Sequence, residues 1–131
     1  MITKLVVLIV SPPGDLQIGL QALLTTHLDV DVLVVSQGSS ALKVIERHNP
    51  GLVILDQDIS GNAVALLARN IKINWPEIIC IVLANDDQVR QKVIDAGTDL
   101  IVIKGLPGSK LIGEIKRLLD LEEIKHKGEI Q

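Results

Sequence analysis

The chain has 131 residues, of which 47% are hydrophobic, so a single domain with a substantial core is expected. Its one aromatic residue, Trp75, leaves no set of rings for stacking a base or a flavin, and the net charge of −3 argues against a nucleic-acid-binding surface. The single Cys80 excludes an internal disulfide, and its apolar neighbours favour an inert buried thiol.

The first apolar run, residues 5–10, is far shorter than the ~20 residues that a membrane-spanning helix needs. It also lacks the charged leader and the small-residue cleavage site of a signal peptide. We therefore expect a soluble cytoplasmic protein that makes no membrane contact.

Five short apolar runs, each bounded by turn residues, predict five strands buried on both faces. They cover residues 4–10, 30–35, 51–56, 78–83 and 100–103. A helical pattern follows each run. The predicted helices begin at Asp15, at Ser39 or Ser40, at Ser60-Gly61-Asn62, at Asp86-Asp87 and after Pro107-Gly108-Ser109. This alternation predicts an α/β fold, a parallel sheet with helices on both faces.

The first and last helices are expected to turn their apolar side chains toward the sheet. In the first helix these are Leu16, Ile18, Leu20, Leu23 and Leu24, and in the last they are Leu111, Ile112, Ile115, Leu118 and Leu119. Two alternatives remain for the charged residues after position 120: the last helix extends to about Lys127 and ends at Gly128, or the segment is a frayed tail. We accordingly expect a domain of residues 1–122 and a helical extension or tail of residues 123–131.

Two charged residues follow apolar strands directly. Asp56 ends the third strand and Lys104 follows the fifth. In an open α/β sheet the ligand crevice lies beside the carboxyl ends of the strands, so both side chains are candidates for a site there. The simpler interpretation is an ion pair that ties the two strand ends together.

Three stretches resemble the response-regulator receiver (CheY-like) domain of two-component signalling. Residues 50–61 are similar to the family's segment around its phosphoacceptor aspartate, and residues 96–104 are similar to its fifth-strand motif. Residues 19–24 resemble the first helix of receivers that carry a helix-turn-helix output domain. The resemblance covers about residues 4–119 and implies a flavodoxin-like sandwich with strand order 2-1-3-4-5 and five helices.

The same comparison of motifs shows where this chain departs from the family. Ser11 and Pro12 stand at the positions of the two acids that hold a magnesium ion, and neither side chain suits a hard divalent cation. Ala84 replaces the family's hydroxyl residue, Ile101 replaces its aromatic switch residue, and Gly105 replaces the proline after the lysine. The resemblance thus implies a degenerate site.

Of the family's chemical residues, Asp56 remains as the phosphoacceptor and Lys104 as the phosphoryl or charge partner. Phosphoryl transfer depends on charge neutralisation, and losing ~3 kcal/mol of it would slow the step ~100-fold. We expect no cofactor and no resident metal. The alternative is weak Mg²⁺ binding through a carboxylate at Asp58 or Asp86.

Two functions follow from the resemblance. The first is a phosphorylation-independent interaction module, in which the fourth helix, the fifth strand and the fifth helix form a dimer or partner face that substitutions at Val89 or Ile112 would probe. The alternative is a working receiver that accepts a phosphoryl group on Asp56 with weak metal dependence. The implied partners are a sensor histidine kinase or another signalling protein, an output domain in a longer chain, and a second copy of the chain.

A third hypothesis, a nucleotide- or flavin-binding protein of the same fold, is disfavoured by the segment Ser11-Pro12-Pro13-Gly14. Phosphate binding there would need backbone N–H groups, and the two prolines have none. Catalytic motifs are absent from the sequence, so we do not expect an enzyme.

Overall fold

The structure, a computed structural model, describes residues 4–59 and 64–130, with side chains described up to residue 121. Five strands form one parallel sheet in the order β2-β1-β3-β4-β5. They are β1 Leu5–Val10, β2 Val30–Val35, β3 Leu52–Asp56, β4 Ile79–Ala84 and β5 Leu100–Ile103. The predicted fold class and strand order are therefore confirmed.

Helices connect the strands. They are α1 Asp15–His27, α2 Gly38–His48, α3 Val64–Asn74, α4 Arg90–Asp95 and α5 Gly108–Ile130. A 3-10 turn over Asp87–Val89 precedes α4, and the Asp86 carboxylate caps it by accepting a hydrogen bond from the Gln88 N–H. The predicted opening of the third helix at residues 60–62 lies outside the described residues.

Two helix boundaries differ from the sequence-based expectation. Helix α2 begins at Gly38, and Gln37, not a serine, occupies its N-cap without a side-chain hydrogen bond. Helix α5 runs past Gly128 to Ile130 and so does not end at this glycine as expected. A glycine inside a helix costs only about 1 kcal/mol, which the rest of a long helix can tolerate.

The sheet separates two apolar layers, because successive side chains of a strand point to opposite faces. On one face Val53 and Leu55 of β3 pack with residues of α2 and α3, and on the other face Ile54 packs with Leu24 of α1 and Ile115 of α5. Every residue of β3 is buried. Burial on both faces explains the continuous aliphatic runs of the central strands β1, β3 and β4. The edge strands β2 and β5 are mostly only partly buried, and β2 contains the exposed Asp31, so the expectation of burial on both faces was wrong for these two.

Two of the side chains expected to face the sheet are exposed, and a third, which was expected to probe a surface, is buried. Ile18 is 64% exposed because it lies two residues, about 200° of helix rotation, from the buried Leu20. Leu16 is 39% exposed because it lies in the first turn of α1, over the groove beside Leu106. Ile112 is buried in the core as predicted, so its use as a surface probe was wrong.

Lys72 of α3 links chain segments at the edge of the sheet where β4 and β5 begin. Its ammonium group donates to the carbonyl oxygens of Pro76 and Ile78 and to the Asp99 carboxylate, which also accepts the Cys80 N–H. Burial, with the nearby Asp99 charge, raises the pKa of the Cys80 thiol to about 12. The thiol is therefore protonated and enclosed, as predicted.

Candidate functional site

The site is built around Asp56, a residue that is only 3% exposed at the end of β3. One carboxylate oxygen, Oδ2, accepts a hydrogen bond from the Ser11 hydroxyl at 2.9 Å. The other, Oδ1, accepts the Asp58 N–H at 2.9 Å and lies 2.5 Å from Lys104 Nζ. The expected pairing of Asp56 with Lys104 is therefore present, and both carboxylate oxygens have donors from the protein.

The parallel sheet brings these residues together because its strands end at a common edge. Ser11 directly follows β1 and continues its ladder by donating its N–H to Val35 O. Lys104 directly follows β5, and its N–H bonds Ala84 O at 2.8 Å. Because β4 lies between β3 and β5, the lysine must reach across the end of β4, where the small Ala84 stands. Gly105, with φ at +96°, then turns the chain away.

Asp58 is a second acid in the site. Its Oδ2 lies 2.9 Å from Lys104 Nζ, and its Oδ1 accepts a hydrogen bond from Asn85 Nδ2 at 2.8 Å. The Asn85 N–H also donates to Gln57 Oε1 at 2.7 Å. These contacts join the loops after β3, β4 and β5. Sequence reasoning assigned no role to Gln57 or Asn85, although both directly follow strands.

Contacts within this cluster favour the charged forms of Lys104 and Asp58. Partial burial opposes the charge on Lys104, but hydrogen bonds and charge attraction from Asp56 and Asp58 outweigh it and raise the lysine pKa. Hydrogen bonds from Asn85 and Lys104 lower the pKa of Asp58. At neutral pH the lysine is therefore a cation, and it lies between the side chains of Asp56 and Asp58.

The chain matches the response regulator receiver domain family over residues 7–116, which is most of its length. It belongs to this family. Receiver domains are two-component signalling modules that interact with kinases and output domains. Among the described residues, none of the helices is long and apolar enough to cross a membrane.

Crystal structures of two other receiver domains, and part of a longer protein, have the same fold. The signal receiver domain of an HD domain-containing protein from Pseudomonas fluorescens Pf-5 has a TM-score of 0.87 at 18% identity, over 97% of this chain and 96% of that one. A CheY-like receiver from Methanospirillum hungatei JF-1 has a TM-score of 0.86 at 18% identity, over 94% and 99%. NtrX from Brucella abortus, in complex with ADP, has a TM-score of 0.82 at 21% identity, over 95% of this chain and 29% of that one.

The residues of this receiver domain do not fit the magnesium ion that the family implies. The Ser11 hydroxyl donates a hydrogen bond to Asp56, the Pro12 side chain has no ligating group, and the Lys104 ammonium group lies between the two acidic side chains. Over residues 4–59 and 64–121, no three His, Cys, Asp or Glu side chains are grouped as a metal site would require. The Asp86 carboxylate accepts a hydrogen bond from the Gln88 N–H in the turn before α4.

The two positions expected to link phosphorylation to a change of conformation are apolar in this receiver domain. Ala84 is fully buried at the end of β4 and has no hydroxyl group. Ile101 is half-buried and packs against the apolar layer that includes Val93. A β-branched aliphatic side chain has few rotamers and no polar atom, so it lacks the features of an aromatic switch.

We expect the stability of the receiver domain to fall at alkaline pH partly through Lys104. Its folded-state pKa is raised above the ordinary 10.5, so its contribution is complete below that value and is lost as the pH rises through the folded pKa. The temperature at the midpoint of thermal unfolding should therefore decrease as the pH rises above ~10.5. The measurement is circular dichroism at a series of pH values, and Lys104→Met should flatten this part of the curve. Parallel curves for the two proteins would contradict the prediction.

Proposed function

We propose that this receiver domain acts largely as an interaction module, in which Asp56 is not a working phosphoacceptor and partner binding is therefore independent of phosphorylation. The observation that supports the proposal is the occupation of both Asp56 oxygens by the protein's own donors, Ser11, Asp58 N–H and Lys104. Buried carboxylates with this many donors are stable as they stand. Asp56 here ties β1, β3 and β5 together.

The phosphorylation chemistry is disfavoured for a physical reason. A carboxylate oxygen that attacks phosphorus must first leave its hydrogen bonds, and the incoming phosphoryl group adds negative charge beside Asp58. Lys104 is a single positive charge already shared by two acids. Without a divalent ion the step loses several kcal/mol of charge neutralisation, and ~3 kcal/mol corresponds to a ~100-fold slower reaction.

The conformational response is disfavoured as well. A modification shifts a population only when it interacts differently with the two states. Ala84 offers no hydroxyl group to a phosphoryl oxygen, and the aliphatic Ile101 offers no ring that could follow it inward. Even a phosphorylated Asp56 would therefore have little means to change the partner surface.

The partner in this proposal is a sensor histidine kinase or another signalling protein, an output domain in a longer chain, or a second copy of the chain. By analogy with the fold alone, the face formed by α4, β5 and α5 is proposed as the contact surface. Ile94 of α4 is 49% exposed and Val89 is half-buried, whereas Ile112 belongs to the core. Ile94 is thus the residue to change when this face is tested.

The test is exposure to a small phosphoryl donor. We expect no adduct in the intact mass after incubation with acetyl phosphate and Mg²⁺, under conditions in which a receiver domain with the full acidic site is modified. The matched control is Asp56→Asn, which should give the same spectrum. One phosphoryl adduct that disappears in Asp56→Asn would overturn the proposal and favour the alternative, a working phosphoacceptor with weak metal dependence.

A further inference from the structure

We infer that Asn85 ties the segment before α4 to the loop after β3, and that its two hydrogen bonds there hold α4 in place. The inference goes beyond the proposed function because it concerns the conformation of the free protein. It can be tested without a partner and without a phosphoryl donor. If it holds, whatever separates Asn85 from the loop after β3 releases α4.

Helix α4 has little apolar anchoring of its own. It spans only six residues, Arg90–Asp95. Across residues 87–95, all of which the structure describes, Val93 is the only buried side chain, and Val89 is half-buried against the core. Isolated helices shorter than ~12 residues are marginal in water. Contacts made outside the helix must therefore contribute to its position.

The side-chain hydrogen bonds within this segment are local, because each joins residues two to four positions apart. They link Asp86 with Gln88, Asp87 with Arg90, and Gln91 with Asp95. Local bonds of this kind stabilise a turn or a helix. They do not determine where the turn and the helix lie relative to the sheet.

Asn85, which stands between β4 and this segment, makes contacts with a distant part of the chain. Its N–H donates to Gln57 Oε1 at 2.7 Å, and its Nδ2 donates to Asp58 Oδ1 at 2.8 Å. Gln57 is positioned by its own N–H, which donates to Leu83 O at 2.9 Å, and Asp58 is positioned by Lys104 Nζ at 2.9 Å from its Oδ2. The chain is thus fixed immediately before it enters the 3-10 turn.

The experiment is hydrogen exchange at the end of α4. The N–H groups of Ala96 and Gly97 donate to the carbonyl oxygens of Lys92 and Ile94, so their exchange rates report the opening of this helix. Exchange is measured by nuclear magnetic resonance on the whole chain, and the amides of α5 provide the internal reference.

Two variants each remove one of the Asn85 contacts. Asn85→Ala removes the donor to Asp58, and Gln57→Ala removes the acceptor of the Asn85 N–H. We expect exchange at Ala96 and Gly97 to be about 5-fold faster in each variant and about 20-fold faster when the two changes are combined. Rates in α5 should stay within twofold of those in the unmodified protein.

The matched control is Gln17→Ala, which removes a side-chain amide donor from another loop at the same edge of the sheet. Gln17 Nε2 donates to Ser11 O at 2.8 Å, and neither residue contacts Asn85 through a hydrogen bond. This change should leave exchange at Ala96 and Gly97 within twofold of the unmodified rate.

Unchanged exchange at Ala96 and Gly97 in folded Asn85→Ala and Gln57→Ala would overturn the inference. An equal acceleration in α4 and α5 would also overturn it, because it would report a loss of global stability. Circular dichroism checks folding, and if one variant does not fold, the other decides the outcome. The acetyl phosphate test measures modification of Asp56, so the two proposals can fail separately.

Discussion

Replacing Lys104 with methionine should lower the free energy of unfolding by ~3 kcal/mol, because it leaves a buried carboxylate without its cation. Asp56 is 3% exposed, and the lysine that neutralises it is 21% exposed. Methionine keeps most of the aliphatic stem, so the loss reports the charge and not the packing. Chemical denaturation with urea measures the change.

A double-mutant cycle separates the ion pair from other effects. Asp56→Asn removes the buried charge while preserving the shape of the side chain, so we expect it to cost no more than ~1 kcal/mol. Asp56→Asn together with Lys104→Met should be more stable than the sum of the single changes predicts, by ~2 kcal/mol. Additive single effects would show that the two groups do not interact. Asp58→Asn, at the more exposed partner, should cost less than ~1 kcal/mol.

Replacing Ile112 with alanine should also cost ~3 kcal/mol, since it removes a branched side chain from the core between α5 and the sheet. The matched change is Ile94→Ala on α4, whose side chain is 49% exposed and should cost no more than ~0.5 kcal/mol. Urea unfolding of both variants tests the contrast. Equal losses would contradict the assignment of Ile112 to the core.

This contrast matters for any mapping of the partner surface. An Ile112 variant that loses partner binding would report the loss of folded protein, whereas an Ile94 variant would report the surface itself. Sedimentation of the unmodified protein and of Ile94→Ala then tests whether the face that contains α4 supports a dimer.

The contacts of Asp56 also give its carboxylate a role in holding the fold. One oxygen accepts a hydrogen bond from Ser11 and the other lies beside Lys104, so the carboxylate links the strand ends at the carboxyl edge of the sheet. Removing the acid would leave the Ser11 hydroxyl and the lysine without their shared acceptor. The residue at this position can therefore be useful for stability alone.

The amino-acid sequence by itself determined the architecture and the position of the site. Aliphatic runs of four to six residues that alternate with helical patterns have few ways to bury themselves other than a parallel sheet covered on both faces. Since parallel strands end at one edge, the positions of Asp56 and Lys104 at strand ends were enough to place both side chains together. These are local patterns, and they can be read without knowing which strands are neighbours.

Only the tertiary structure determined which residues of the site contact one another. The contacts of Ser11 with Asp56, of Asp58 with Lys104 and of Asn85 with Gln57 each join loops that follow different strands. Which loops meet, and at what distance, depends on strand order, on register and on the rotation of each side chain. Such contacts arise from many weak non-local interactions acting together, so no short stretch of the sequence encodes them.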